Sequence, residues 1–223
     1  SEMCIRDRER SYKTVGYFTD KNIEFVLGHN FTKEACLSKF LLESKTFDHM
    51  LRVENDKNSL KSPPKPFNTS RLLQVASSTI SSSPKLTMQL CQSLYQNGHI
   101  TYMRTDSTKY APPFLETAKQ YISETFGENY LGQFNNIINN SKENPHEAIR
   151  VTDITRTTIV SKNSKEMTLY KLIWRNTVES CMASAKYLNT DVYISAPEIV
   201  VNKKSKKIEY HHLVEMPVFM GWK

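Results

Sequence analysis

The residues best suited to covalent chemistry lie in one stretch, Gly98-His99-Ile100-Thr101-Tyr102-Met103-Arg104-Thr105-Asp106-Ser107. Side chains alternate in an extended segment, so Tyr102 and Arg104 are expected to project to the same side. A phenol ionises only near pH ~10 and is a poor nucleophile at neutral pH without help. A guanidinium two residues away keeps its charge, can grip a phosphate with paired N–H donors, and offsets the charge that grows on the phosphoryl oxygens during attack. The pair suits phosphoryl transfer to tyrosine. Taken alone, Tyr-x-Arg is a weak signal, because tyrosines in extended segments mostly pack in a core or across strands. A second group, His146-Glu147-Ala148-Ile149-Arg150, follows Asn144-Pro145. A loop histidine beside a cleft can donate a hydrogen bond to a phosphoryl oxygen or move a proton. An exposed loop His before a helix-start Glu is the plainer reading. Position 150 is Arg, so the HExxH zinc motif is absent.

Around these groups the hydrophobic period changes twice. From Ser11 to Phe67 the chain reads as strands and turns, with β-prone runs at Tyr12–Phe18 and Ile23–Val26 and a weak helical pattern at Phe47, Met50 and Leu51. Lys61-Ser62-Pro63-Pro64-Lys65-Pro66 forbids helix and marks a linker. The period then becomes helical. Asn68, Thr69 or Ser70 can cap a helix bearing Leu72, Leu73, Val75 and Ala76, and Ser77 to Ser83 reads as a loop. Ser83-Pro84 starts the best-specified helix, with Leu86, Leu90, Cys91 and Leu94 as its stripe and Asn97-Gly98 as its stop. Pro112-Pro113 opens another, burying Leu115, Ala118, Ile122 and Phe126 before Gly127. A long helix is expected over about 164–183, with Leu169, Ile173, Trp174, Val178 and Cys181 inside. Strand character returns from Tyr187 to Val201, and Lys203-Lys204-Ser205-Lys206-Lys207 reads as a charged hairpin tip that protects an edge strand. The layout is β-rich, helical, then β-rich again, as if a helical domain were inserted into a β domain.

The formal net charge of +7 points weakly to nucleic acid. Four scattered cysteines with no CxxC pair argue against a zinc ribbon or a disulfide framework. The sequence has no apolar run of the roughly 18–20 residues that span a bilayer and no basic-then-apolar leader, which fits a soluble, intracellular protein. With Ser1 at its start and a strand-like stretch at its close, the chain reads as a piece of a longer protein, and residues 1–10 are assigned to no fold.

Ile100-Thr101-Tyr102-Met103-Arg104-Thr105-Asp106-Ser107 resembles the active-site signature of type IA DNA topoisomerases. Further segments match in the same order: Pro66-Phe67-Asn68-Thr69-Ser70, the helix from Lys85 to Gly98, the His146-Glu147-Ala148-Ile149-Arg150 box, and Leu169 to Arg175. The box departs from the family at Val151, where proline is usual. The resemblance covers about Ser11 to Lys223. It implies an α+β fold in which a helical, winged-helix-like gate domain, 67–185, is inserted into a discontinuous β-rich arm, 11–66 with 186–223. It implies that Tyr102 attacks a DNA phosphodiester and stays linked to the 5′-phosphate, that Arg104 holds the scissile phosphate, and that His146 assists. Strand passage and resealing, without ATP, would then relax negative supercoils one step at a time. Arg104, Gln92, Thr105, Ser107 and Arg150 would contact DNA, the substrate being a single-stranded segment of negatively supercoiled duplex. Turn capping is an equal reading for Thr105 and Ser107, and a plain surface role is the simpler one for Gln92. The family takes Mg²⁺ on a separate N-terminal domain, so this chain would bind no metal, act as a monomer where the DNA is, and by itself neither cleave nor relax DNA efficiently. The alternatives are a non-catalytic DNA-binding module of the same fold and a tyrosine recombinase. The recombinase fits less well because Tyr102 lies mid-chain.

Overall fold

The computed structural model describes residues 10–141 and 146–223. The expectation for the first nine residues and the Asn144-Pro145 motif lie outside them. The described chain forms two compact units. One joins the residues up to Ser59 with Tyr187–Pro217, and the other joins Leu60–Lys186 with Val218–Lys223. Residues 60–66 and the last six thus fall with the helical unit, whereas the sequence reading grouped them with the strands. No described helix is long and apolar enough to cross a membrane.

The first unit is built on an antiparallel core. Strands β1 (Val15–Tyr17) and β2 (Glu24–Leu27) form the expected hairpin, with Val15 opposite Val26. Helix α1 (Glu34–Ser44) follows, then β3 (Leu51–Val53), β4 (Lys57–Lys61) and β5 (Ala185–Ser195). A hairpin of β6 (Ile199–Val201) and β7 (Lys204–Lys206) leads to β8 (Glu209–Phe219). The main sheet runs β1-β2-β8-β5-β3, with β4 also paired to β5. Helix α1 stands where strands and turns were expected, and the weak helical pattern at Phe47, Met50 and Leu51 forms no helix, since α1 ends at Ser44 and Leu51 opens β3. It has one buried residue, Phe40, and Lys33 at its start offers no side-chain cap, so neither a stripe nor a cap announces it. Phe40 packs on Phe31 and on Tyr210 of β8, with ring centroids 5.2 and 6.5 Å apart, so tertiary burial supplies what local propensity lacks.

The second unit holds α2 (Thr69–Ile80), α3 (Pro84–Gln96), α4 (Pro112–Thr125) and α5 (Ser164–Glu179). Asn68 caps α2 by accepting the Arg71 amide, and Ser83 caps α3 by accepting that of Leu86, with Pro84 in the first turn. The Ser77–Ser83 loop is shorter than expected. The helix runs on to Ile80, its exposed serine and threonine side chains turning back on backbone carbonyls such as Val75 O, and Ser81 ends it in the left-handed region. Phe126 is half exposed rather than buried, because α4 stops at Thr125 and leaves Phe126 beyond the apolar face. Helix α5 ends at Glu179, four residues before the expected limit, while Cys181 is still buried.

Two clusters fill this unit, and α5 contributes to both. Leu72, Ala76, Leu90, Leu94, Leu169 and Ile173 make the first. Leu115, Ala118, Ile122, Val178 and Cys181 lie in the second, with Trp174 packed against each. The Trp174 indole is half-buried and donates to Ile154 O at 2.8 Å. The proline segment is tied to α5 by Asn176, which accepts the Phe67 amide at 3.1 Å and donates to Lys65 O at 3.1 Å. Leu94 is fully buried where α3 packs in the first cluster. Leu94→Ala is therefore expected to cost about 2–5 kcal/mol of stability, read from urea unfolding of the purified chain.

Candidate functional site

The stretch around Tyr102 is irregular, with a bend at Met103, rather than the alternating extended segment expected, and it belongs to no sheet. Its one ladder contact is a bridge between Ile100 and Val151. Its place is fixed by side chains on either side of the tyrosine. Ile100 and Met103 are each 1% exposed and sit in the first core cluster, while Tyr102 is 46% exposed and Arg104 is exposed. Two buried anchors therefore bracket a phenol that reaches solvent. Two other tyrosines of this unit, Tyr110 and Tyr170, differ. Tyr110 is fully buried, with its hydroxyl 2.9 Å from Ser180 Oγ, and burial pushes its phenol far up. Burial likewise pushes the Tyr170 phenol up to about 12, and it donates to Arg156 O. Neither is available to an external substrate.

Hydrogen bonds stitch the Tyr102 segment to the 146–152 segment. The Thr101 amide donates to Arg150 O at 2.9 Å, and the Thr152 amide donates to His99 O at 3.0 Å. The Thr101 hydroxyl donates to Ala148 O at 2.8 Å and accepts the Arg150 amide at 3.0 Å. Thr152 Oγ1 donates to Gly98 O at 2.7 Å. The two groups singled out in the sequence, 49 residues apart at Thr101 and Arg150, are thus neighbours in space. A third segment joins them, since the Ile149 amide donates to Phe67 O at 2.7 Å.

The start of α2 grips the chain beyond the tyrosine. The Thr69 amide donates to Thr105 O at 3.0 Å, and its hydroxyl lies 2.7 Å from Met103 O and accepts the Thr105 amide at 3.0 Å. Asn68 caps the helix with Oδ1 and reaches Asp106 O with Nδ2 at 3.4 Å. Arg104 is carried between the two backbone groups that Thr69 holds. The first turn of a helix also favours negative charge, which suits this edge of the site to an anion.

The remaining expected residues are placed as follows. The Thr105 hydroxyl accepts the Ser107 amide at 3.1 Å, and that of Ser107 accepts the Lys109 amide at 3.2 Å, so both cap turns. Gln92 is exposed on α3, one turn before Tyr95, whose ring meets that of Tyr102 edge-on with centroids 5.3 Å apart. His146 is exposed, and its carbonyl accepts from Asn139 Nδ2 at 3.3 Å. The Arg150 guanidinium is engaged within the protein: Nε pairs with Glu147 at 2.6 Å, Nη1 donates to Val151 O at 3.2 Å, and the group lies 4.0 Å over the Phe114 ring. Tyr95 was not singled out in the sequence, and Asn68 and Thr69 were read only as candidates to cap α2. The Pro66-to-Ser70 match was the available signal, but nothing local tied it to Arg104. Among the described residues, no three or more His, Cys, Asp or Glu lie together to hold a metal ion.

Removing the Thr69 hydroxyl tests the grip. Thr69→Val should lower hydrogen-exchange protection of the Thr105 amide by about 1–3 kcal/mol, whereas Thr69→Ser should retain it. Equal protection in Thr69→Val and the parent chain would remove the hydroxyl from this role.

Comparison with known proteins bears on the whole chain. The DNA topoisomerase family model matches residues 8–217. DNA topoisomerase 1 of Escherichia coli is 36% identical over 178 residues, which is 76% of this chain and 20% of that protein. The prokaryotic-type DNA topoisomerase 1 of Acanthamoeba polyphaga mimivirus is 35% identical over 197 residues, 86% of this chain and 22% of that protein. In structure, full-length topoisomerase I from Thermotoga maritima superposes with a TM-score of 0.68 at 29% identity, covering 96% of this chain and 35% of that one. The chain thus spans only about a fifth of the length of these two relatives. With the signature stretch, its histidine box and the mixed α+β architecture all in the family's order, the chain belongs to the bacterial topoisomerase I kind of type IA DNA topoisomerases.

Proposed function

We propose that this chain supplies the nucleophile and phosphate grip of an enzyme that cuts and reseals one DNA strand. The observation that carries the reading is an exposed Tyr102 set between two fully buried anchors, with exposed Arg104 two residues on. Tyr102 Oη attacks the phosphorus of a phosphodiester in a single-stranded segment. The phenol gives up its proton, the bond to the 3′-oxygen breaks, that oxygen leaves as a hydroxyl after taking up a proton, and the 5′-phosphate stays on the phenolic oxygen. One phosphodiester replaces another, so the reverse attack by the 3′-hydroxyl restores the strand without ATP. Passage of another strand in the interval changes the linking number.

Arg104 holds the scissile phosphate and offsets the charge on its oxygens. His146 donates to the phosphate or to DNA beside it. Gln92 and the Tyr95–Tyr102 ring pair form a face along which bases lie, and the Thr105 and Ser107 turns present backbone near the phosphates. Arg150 contributes through its charge and its remaining Nη donors, because Nε and one Nη1 donor already serve Glu147 and Val151. In the same reading the helical unit is the gate, similar to a winged helix, and the sheet unit is the arm. The protein works as a monomer where the DNA is. Mg²⁺ is held, in this reading, by another part of the whole protein, and no step described here passes through it.

Two outcomes are expected. The 223 residues alone should leave a supercoiled plasmid unrelaxed in the presence of Mg²⁺. Fused to or mixed with the metal-binding segment of a relative, the chain should form a denaturant-stable DNA adduct that Tyr102→Phe abolishes. An adduct of equal yield in Tyr102→Phe would overturn the nucleophile, and relaxation by the chain alone would overturn the division of labour.

A further inference from the structure

Among the described residues the Tyr102 hydroxyl has no hydrogen-bond partner, and the ring that meets its own is that of Tyr95, edge-on, with centroids 5.3 Å apart and planes 65° apart. Both rings are partly exposed, so neither is locked by a surrounding core. The backbones that carry them are fixed. Tyr95 stands in the last turn of α3, which Cys91 and Leu94 bury in the first cluster. Its carbonyl accepts the Gly98 amide at 2.9 Å, and the His99 amide donates to Leu94 O at 2.9 Å, which together make the Schellman pattern of a helix end. Gly98 supplies the positive φ, +72°, at which the chain reverses. Ile100 and Met103 anchor the returning chain, and Tyr102 comes back beside Tyr95.

With both backbones held, what stays free is the torsions of two side chains. An exposed tyrosine samples more than one of the staggered wells at χ1. An edge-to-face contact favours the well that makes it, through the attraction of a positive ring edge for a negative ring face. For a nucleophile this has a kinetic meaning. Attack proceeds from rotamers that put Oη in line with the phosphorus, so a ring ordered beforehand removes an orientational cost from the reacting complex. Base stacking is the competing use of the pair. Planes 65° apart do not offer one base two flat surfaces, so stacking on one ring leaves the other beside it unexplained. The contact is made by the Tyr95 ring and not by its hydroxyl, to which the described residues supply no hydrogen-bond partner.

We infer that Tyr95 is a positioning residue for the Tyr102 nucleophile: its ring holds the phenol in one rotamer and presents Oη in one direction before DNA is bound. What Oη attacks rests on the proposed function, whereas the restraint on the ring does not.

The rotamer is read first, in the full 223-residue chain without DNA. Three-bond couplings of the Tyr102 side chain should report one χ1 well in the parent and in Tyr95→Phe, and averaging over several wells in Tyr95→Ala. Hydrogen-exchange protection of the Gly98 and His99 amides should be the same in all three, because the helix end is built from backbone. Where Tyr95→Ala loosened those amides, Tyr95→Leu, which keeps bulk without a ring, carries the same expectation of averaging. A single Tyr102 rotamer in every variant overturns the inference. The adduct assay, with the metal-binding segment of a relative supplied, gives the second reading. At saturating oligonucleotide Tyr95→Ala should form the adduct about three- to tenfold more slowly, with half-saturation moved by less than about twofold, and Tyr95→Phe should restore the parent rate. A rise of about tenfold in half-saturation at an unchanged saturated rate would make Tyr95 a base-stacking platform and end the positioning role. An adduct that survived Tyr102→Phe would remove the nucleophile but leave the coupling measurement intact, so the two failures are read separately.

Discussion

A reactive side chain on a stretch with no sheet or helix of its own can be precise only if its neighbours are fixed. Here that depends on the burial of Ile100 and Met103 on either side of Tyr102. Each removes about one large apolar side chain from water, worth roughly 1.5–3 kcal/mol, and both enter the core that α2, α3 and α5 build. The backbone polar groups of this irregular stretch then need partners, because burying them unpaired would cost a comparable amount. The 146–152 segment and the first turn of α2 supply them. Packing fixes where the stretch lies, and hydrogen bonding fixes how it turns.

Thr101 and Thr69 play equivalent parts on opposite sides of the tyrosine. Each hydroxyl both donates to a carbonyl and accepts an amide, and thereby replaces a missing stretch of strand ladder. A β-branched threonine loses little rotamer freedom on ordering, which makes it an inexpensive clamp. Distant segments can thus converge on Tyr102 and Arg104 without a continuous sheet, leaving both side chains open to solvent.

How much of this could be read in the sequence followed the range of the signals. Helix α3 was legible because Ser83-Pro84 and Asn97-Gly98 are local punctuation, and Gly98 takes the positive φ that its position requires. The β6–β7 hairpin was legible only in part: Lys203 to Lys207 reads as its tip, but Asn202 and Lys203 make the turn and Lys204–Lys206 is strand β7. Helix α1 was not, since it lacks a cap and a stripe and is held by buried Phe40 with Leu37 packed beside the same cluster. Ser77 to Ile80 was misread as loop because serine's weak helical preference yields to a helix already nucleated and packed through Leu72 and Ala76. Within the site, Tyr102, Arg104 and His146 stood out by type and spacing. Thr69 and Asn68 stood out only as helix caps, because their grip on the Tyr102 stretch runs through contacts more than thirty residues away.

The departure at Val151 shows how the site tolerates a change in backbone chemistry. Proline, the residue the family resemblance leads one to expect there, would stiffen the turn by fixing φ but would offer no amide proton. Valine keeps the proton, and it is used: Val151 N–H donates to Thr177 Oγ1 at 3.3 Å, while that hydroxyl donates to Ile173 O at 2.8 Å. The Val151 side chain is fully buried in the core that holds Ile100 and Met103. A ring constraint is thus replaced by a hydrogen bond into α5, and the bridge between Val151 and Ile100 is kept. What the site requires at this position is a fixed backbone beneath Thr101, and side-chain burial with one buried hydrogen bond meets that requirement as well as a pyrrolidine ring does.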